Sequence, residues 1–224
     1  VKKLAIRVHH SPSLRKMLQA ACATAKIKYR TIKRNVITRW NSVNTMLSSV
    51  IHLQPALDII CSQQRLSGRN KPNPLTKFKL TKTEWEFIRA LKKLVEPLAA
   101  ATTALETNKR PLLHEVIPIM DGINQYLTQI ANDTMNLPVI WDSACRGLVI
   151  ADKYYAKTDD SAMYRAAMIM HPRYIMSYFD DEDWPEEWKA GAKTTLKHLY
   201  ETYYKPSDSS EGSDNNDDGA EVTL

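Results

Sequence analysis

The residues Thr38-Arg39-Trp40-Asn41-Ser42 bring together side chains with a definable chemistry. A tryptophan offers a flat face on which an unpaired base can stack. A neighbouring guanidinium can meet a phosphate through paired hydrogen bonds. The segment belongs to a 57-residue run with eleven Lys or Arg and no Asp or Glu, and the first acidic residue is Asp58. Such a run is an electrostatic footprint for polyanions. Lys33 and Arg34 precede the segment and, with Thr38, Arg39, Trp40 and Asn41, form the candidate DNA-binding set. Composition alone favours a plainer reading, in which Trp40 packs as core at a helix start and Arg39 is ordinary surface.

Other chemistries find little support. The six glycines never form a phosphate-cradling loop, and no GxSxG or HExxH occurs. Cys22, Cys61 and Cys145 are far apart, with no zinc spacing, and fit a reducing compartment. His9 and His10 are adjacent, and adjacent residues rarely face one ion. Asp58, Asp121, Asp133, Asp142 and Asp152 fall on helical segments, where carboxylates usually form the solvated face. The remaining lysines and arginines of the first 57 residues form a diffuse basic field.

The net charge of +6 is unevenly spread. Residues 1–57 carry +11, residues 58–206 carry +1, and residues 207–224 carry −6. That last segment has almost no large apolar residue and cannot offset the entropy of ordering, so a disordered acidic tail is expected. The chain opens on Val1 and reads as an excerpt of a longer product. No apolar run reaches the length of a membrane span.

Helical periodicity dominates the rest. Ser11-Pro12 predicts a helix over 12–25, with Ser as N-cap and Pro at the first position. A short strand is expected at 35–38. A helix from Asn41 carries the stripe Val43, Met46, Leu47, Val50, Ile51, Leu57 and Ile60, broken or kinked at Pro55. Residues 65–79 read as a basic loop. Thr81 and Glu84 have capping-box spacing and open a long helix, kinked near Pro97. Further helices follow over 113–130, from Pro138 to Tyr155, and over 163–170, the last stopped at His171-Pro172. Trp184-Pro185 opens a final helix with the stripe Trp188, Ala192, Leu196, Leu199 and Tyr203. Trp85, Trp141, Trp184 and Trp188 are assigned to core packing or domain contact.

The wording of these segments carries a resemblance. TRWNSVNTML, from Thr38, resembles the TRWNSTYxML segment of hAT-family transposases. Upstream, Ser11-Pro12-Ser13-Leu14-Arg15 and a Cys-containing stretch follow the same layout. Lys153-Tyr154-Tyr155 is similar to the family's KYW/KYY signature, and AAMIMHPRYIMSYF over 166–179 to its AxxLDPRYKxxYF signature. The three landmarks stand in order and cover roughly residues 1–204. Two positions depart: His171 stands in place of the Asp, and Ile175 in place of the Lys.

The resemblance implies an RNase H-like core, split by a large helical insertion, whose DDE carboxylates hold a divalent metal such as Mg²⁺. The two Asp would lie upstream of Thr38 and the Glu beyond this chain. Residues 1–40 would be the tail end of the first core half, 41–204 the helical insertion, and 205–224 the acidic tail. The expected fold is therefore mainly α, with at most one or two short strands near the N-terminus. The chain alone would hold no catalytic residue, metal or cofactor and would not be an enzyme. Arg39-Trp40 would be the motif whose Trp helps hold a flipped base. The implied partners are DNA at transposon ends and, through segments absent here, further copies of the intact parent. The implied location is the nucleus, with no membrane partner. Two alternatives stand beside this reading: a domesticated or decayed derivative that only binds DNA or protein, and a helical interaction domain with no nucleic-acid role.

Overall fold

The computed structural model describes residues 1–34, 36, 39–64, 72–107 and 109–206. The protein is mainly helical, and no strand forms among the described residues. The strand expected at 35–38 falls on Asn35, Ile37 and Thr38, which lie outside the described residues, as does the acidic segment 207–224. The chain divides into two units, Val1–Asp160 and the residues from Ser161 onward.

The first unit opens with α1 (Lys2–His10). Its signal in sequence is slight: Leu4, Ala5 and Val8 are buried, on a nine-residue helix otherwise rich in cations. Ser11 then caps α2 (Pro12–Thr24), its hydroxyl accepting the Leu14 amide at 3.4 Å. Leu14, Leu18, Ala21 and Cys22 supply the buried face of α2. This helix ends in a Schellman motif: the Ile27 amide donates to the Cys22 carbonyl and the Lys26 amide to that of Ala23. Lys26 takes the left-handed position, with φ of 55°.

The stripe beginning at Asn41 becomes two helices, α3 (Trp40–His52) and α4 (Gln54–Ser62). Pro55 sits in the first turn of α4, where its missing amide costs nothing, and Leu53 is fully buried at the corner. The connector after α4 is fastened by Asn73. Its side-chain amide donates to the carbonyls of Ile60 at 2.6 Å and Gln63 at 2.8 Å, and its oxygen accepts the Leu75 amide at 2.9 Å. Residues 65–71 of the expected loop lie outside the described residues.

Thr81 and Glu84 close the expected capping box at the start of α5 (Lys82–Leu105). This helix packs on α3 and runs on through Pro97 as one element. Trp85 is buried and its indole donates to Asp58 at 3.2 Å. α6 (Val116–Asn132) and α7 (Pro138–Ala156) pack against each other and against α5 around Leu94, Leu127 and Ala144. Gly147 permits this approach, because a Cβ there would lie 3.2 Å from a Leu127 methyl.

The second unit contains α8 (Ala162–Ile169), α9 (Ser177–Asp181) and α10 (Glu186–Tyr203), with α8 against α10. Phe179 is fully buried and meets Trp184 edge-on at 4.7 Å; Trp184 meets Trp188 at 5.6 Å. The expected stripe of α10 is largely uncovered: Ala192 is its buried residue, while Trp188 and Tyr203 are exposed.

Candidate nucleic-acid interface

After α2 the residues from Ile27 to Arg34 form a strap without regular secondary structure. Ile27, Tyr29 and Ile32 turn toward the core, Ile32 at 1 % exposure, while Lys28, Arg30, Lys33 and Arg34 face outward. Apolar anchoring on one side thus forces the cations to the other.

Three side chains of α3 hold the strap. His52 Nε2 donates to the Lys28 carbonyl at 2.8 Å. Ser49 Oγ accepts the Lys33 amide at 3.2 Å and donates to the Met46 carbonyl at 2.8 Å. Ser42 Oγ accepts the Val36 amide at 2.7 Å. Strap positions rise as helix positions fall, so the strap runs antiparallel to α3. Ser42 and Ser49 are seven residues apart, within ~20° of each other around the helix. The Lys33 attachment is nine residues from Trp40, or roughly 13 Å along the axis.

The strap leads to Arg39 and Trp40 at the amino end of α3. No side chain caps this end, and no acidic residue lies in its first turn. Its positive dipole end therefore adds to the local field. Trp40 is 52 % exposed, which overturns the packing expected from composition. Trp141 and Trp188 are also about half exposed, but each is engaged. The Trp141 indole donates to the Ala131 carbonyl at 2.8 Å, and Trp188 meets Trp184. Trp40 has no hydrogen bond from its indole and no ring contact among the described residues.

The candidate residues divide by role. The side chains of Lys33, Arg34 and Arg39 are exposed and form no ion pair among the described residues. Asn41 is tied inward: its amide donates to Glu106 at 3.4 Å and its oxygen accepts from Thr103 at 3.3 Å, both at the end of α5. Asn41 thus positions the amino end of α3 and places one carboxylate beside it. Thr38 lies outside the described residues.

Arg34 also has company that spacing did not reveal. His9 titrates below the ordinary histidine range, through desolvation and then the positive charges of Arg34, His10 and Arg15. Arg15 Nη1 donates to the His9 carbonyl at 2.7 Å, and the His9 and His10 rings meet edge-on at 5.3 Å. The corner between α1 and α2 therefore joins the strap in one field of cations. Ser49 and His52 escaped the sequence reading; the seven-residue spacing of Ser42 and Ser49 was the available signal.

The carboxylates doubted above have structural partners. Asp58 holds Trp85, Asp133 accepts the Met135 amide, Asp142 pairs with Arg146, and Asp152 accepts from Asn124. Among the described residues no three His, Cys, Asp or Glu side chains gather as a metal site, and no helix is long and apolar enough to cross a membrane. Exposed unpaired guanidinium and ammonium groups can bind phosphate, and a bare indole face can stack on a base. No family model, curated protein or solved structure matches this chain.

Proposed function

We propose that this chain is the DNA-contacting and scaffolding part of a hAT-like transposase. Residues 1–40 belong to the first half of an RNase H-like core, and the helices that follow to its insertion. The observation that carries the reading is the strap of unpaired cations leading to an unengaged Trp40. In the intact parent, carboxylates outside this chain hold divalent metal for phosphoryl transfer in the nucleus, on DNA at transposon ends, within an oligomer. This part binds phosphates through Lys33, Arg34 and Arg39, and Trp40 supports a base drawn out of the stack. A stacking partner offsets part of the cost of unstacking.

The test is a fluorescence-anisotropy titration at 50 and 200 mM salt. Its two DNAs are a plain duplex and the same duplex with one unpaired base. With about three phosphates contacted, affinity falls ~40-fold between the two salts. Trp40→Ala weakens binding to the unpaired-base DNA more than to the plain duplex. Salt-independent binding, or equal losses on both DNAs, overturns the reading.

A further inference from the structure

The second unit carries a groove of about 1090 Å³. Its α10 wall runs from Lys193 to Tyr204, about 16 Å or three helical turns. The facing wall comes from α8 and the turn after it, with Met163, Met170 and Met176. Five large lining side chains stand open: Met163 at 52 %, Tyr200 at 55 %, Tyr203 at 72 %, Met170 at 73 % and Tyr204 at 75 % exposure. Apolar surface scattered singly is normal, but a contiguous patch of this kind marks an interface. Methionines adapt to the shape of what they meet, and tyrosines give contact area at low entropic cost.

The charges of this unit are sorted by position. Among the described residues of this unit, every acidic residue except Glu201 lies between Asp180 and Glu187, at the opposite end of α10 from the groove. There Asp180 and Glu186 both grip Lys189, at 2.7 and 2.9 Å. At the groove, Lys193 is exposed and has no ion-pair partner among the described residues. Lys197 meets Glu201 at 3.9 Å, with both side chains at least half exposed, a contact that water and salt largely screen. The groove thus has an apolar floor and a cationic rim.

We infer that this groove is the docking site for an amphipathic helix of about three turns, with acidic residues flanking its apolar stripe. Apolar anchors at i, i+3, i+4 and i+7 match a floor of this length. Carboxylates beside them reach Lys193 and Lys197. A second copy of the chain fits less well, because a two-fold contact through this face would set the Lys193 and Lys197 rims of both copies against each other. A nucleic acid would leave the methionines unmatched.

The test uses two fluorescein-labelled 16-residue peptides with Leu at positions 4, 7, 8 and 11. One carries Glu at the flanking positions and the other Lys. Anisotropy titration against the full chain should give a Kd of tens of micromolar for the Glu peptide and at least tenfold weaker binding for the Lys peptide. Lys193→Glu with Lys197→Glu should invert that preference. Tyr203→Ala, at a largely exposed position, should weaken the Glu peptide at least fivefold with no change in helical circular dichroism. Equal binding of both peptides overturns the proposal. So does displacement of the Glu peptide by phosphatidylcholine vesicles or duplex DNA, or a dimer in sedimentation that Tyr203→Ala abolishes.

Discussion

The hydroxyl of Tyr126 donates to the carbonyl of Lys93 at 2.8 Å, and Lys93 lies four residues before Pro97. In a regular helix that carbonyl would accept the amide of residue 97, which proline lacks. A side chain from α6 therefore supplies the donor that the sequence of α5 withholds. This supports the long helix expected across Pro97, and it ties α6 to α5.

Removing the donor should matter only while the proline is present. Tyr126→Phe is expected to cost about 1 kcal/mol, since it strands one acceptor near the surface. In a Pro97→Ala background the backbone amide returns and the same substitution should be close to neutral. Urea denaturation of the four proteins measures the coupling. Equal costs in both backgrounds would show that the hydroxyl contributes through something other than the freed carbonyl.

The turn after α2 makes a second prediction. Lys26 occupies a left-handed position with φ of 55°, where glycine is the usual residue. Left-handed backbone costs an L-residue about 1–2 kcal/mol, partly offset by the greater chain entropy that a glycine loses on folding. Lys26→Gly should therefore stabilise the chain by about 0.5–1 kcal/mol, read as an increased urea midpoint. A decreased midpoint would mean that the lysine makes a contact worth more than the strain.

Much of this architecture was legible because helical signals are local. The Ser11 cap, the Thr81–Glu84 box and the Pro55 break each depend on residues within one turn, and each appears where its spacing places it. What was not legible depends on distant partners. The tethering of the strap needs Ser49 and His52, and the donor that serves the Lys93 carbonyl comes from Tyr126. Trp40 illustrates the same limit. An isolated indole at a helix start reads as core, because its exposure is decided by what α3 and α5 leave uncovered. The stripe of α10 likewise predicts a covering layer, yet it stays open in this unit.

The three thiols should separate cleanly by reactivity. Cys22 and Cys61 are buried and Cys145 is partly exposed. Burial, and then the charge of Asp58, pushes the Cys61 thiol up to about 11. At pH 8 its thiolate fraction is then ~10⁻³, and the thiolate is the reactive form. Iodoacetamide at pH 8 should label Cys145 first, with Cys22 and Cys61 following only in urea, as read by peptide mass spectrometry. Early labelling of Cys61 would place the α4 face in frequent local opening.

The strap offers the sharpest comparison, because two serines do similar work at different depths. Ser49 is 7 % exposed and Ser42 lies nearer the surface. Ser49→Ala leaves the Lys33 amide without its acceptor, at a cost of about 1–2 kcal/mol. Ser42→Ala frees the Val36 amide where water can replace the hydroxyl, so its cost should stay below about 1 kcal/mol. Ser42 also donates to the Val36 or Arg39 carbonyl, both 2.8 Å away, so its loss loosens the segment that presents Arg39 and Trp40. If the strap binds phosphate as a pre-organised unit, Ser42→Ala should weaken DNA binding several-fold with little change in the urea midpoint. Unchanged DNA affinity in both serine variants would mean that the cations act as a diffuse field, and that the geometry of the strap is incidental to binding.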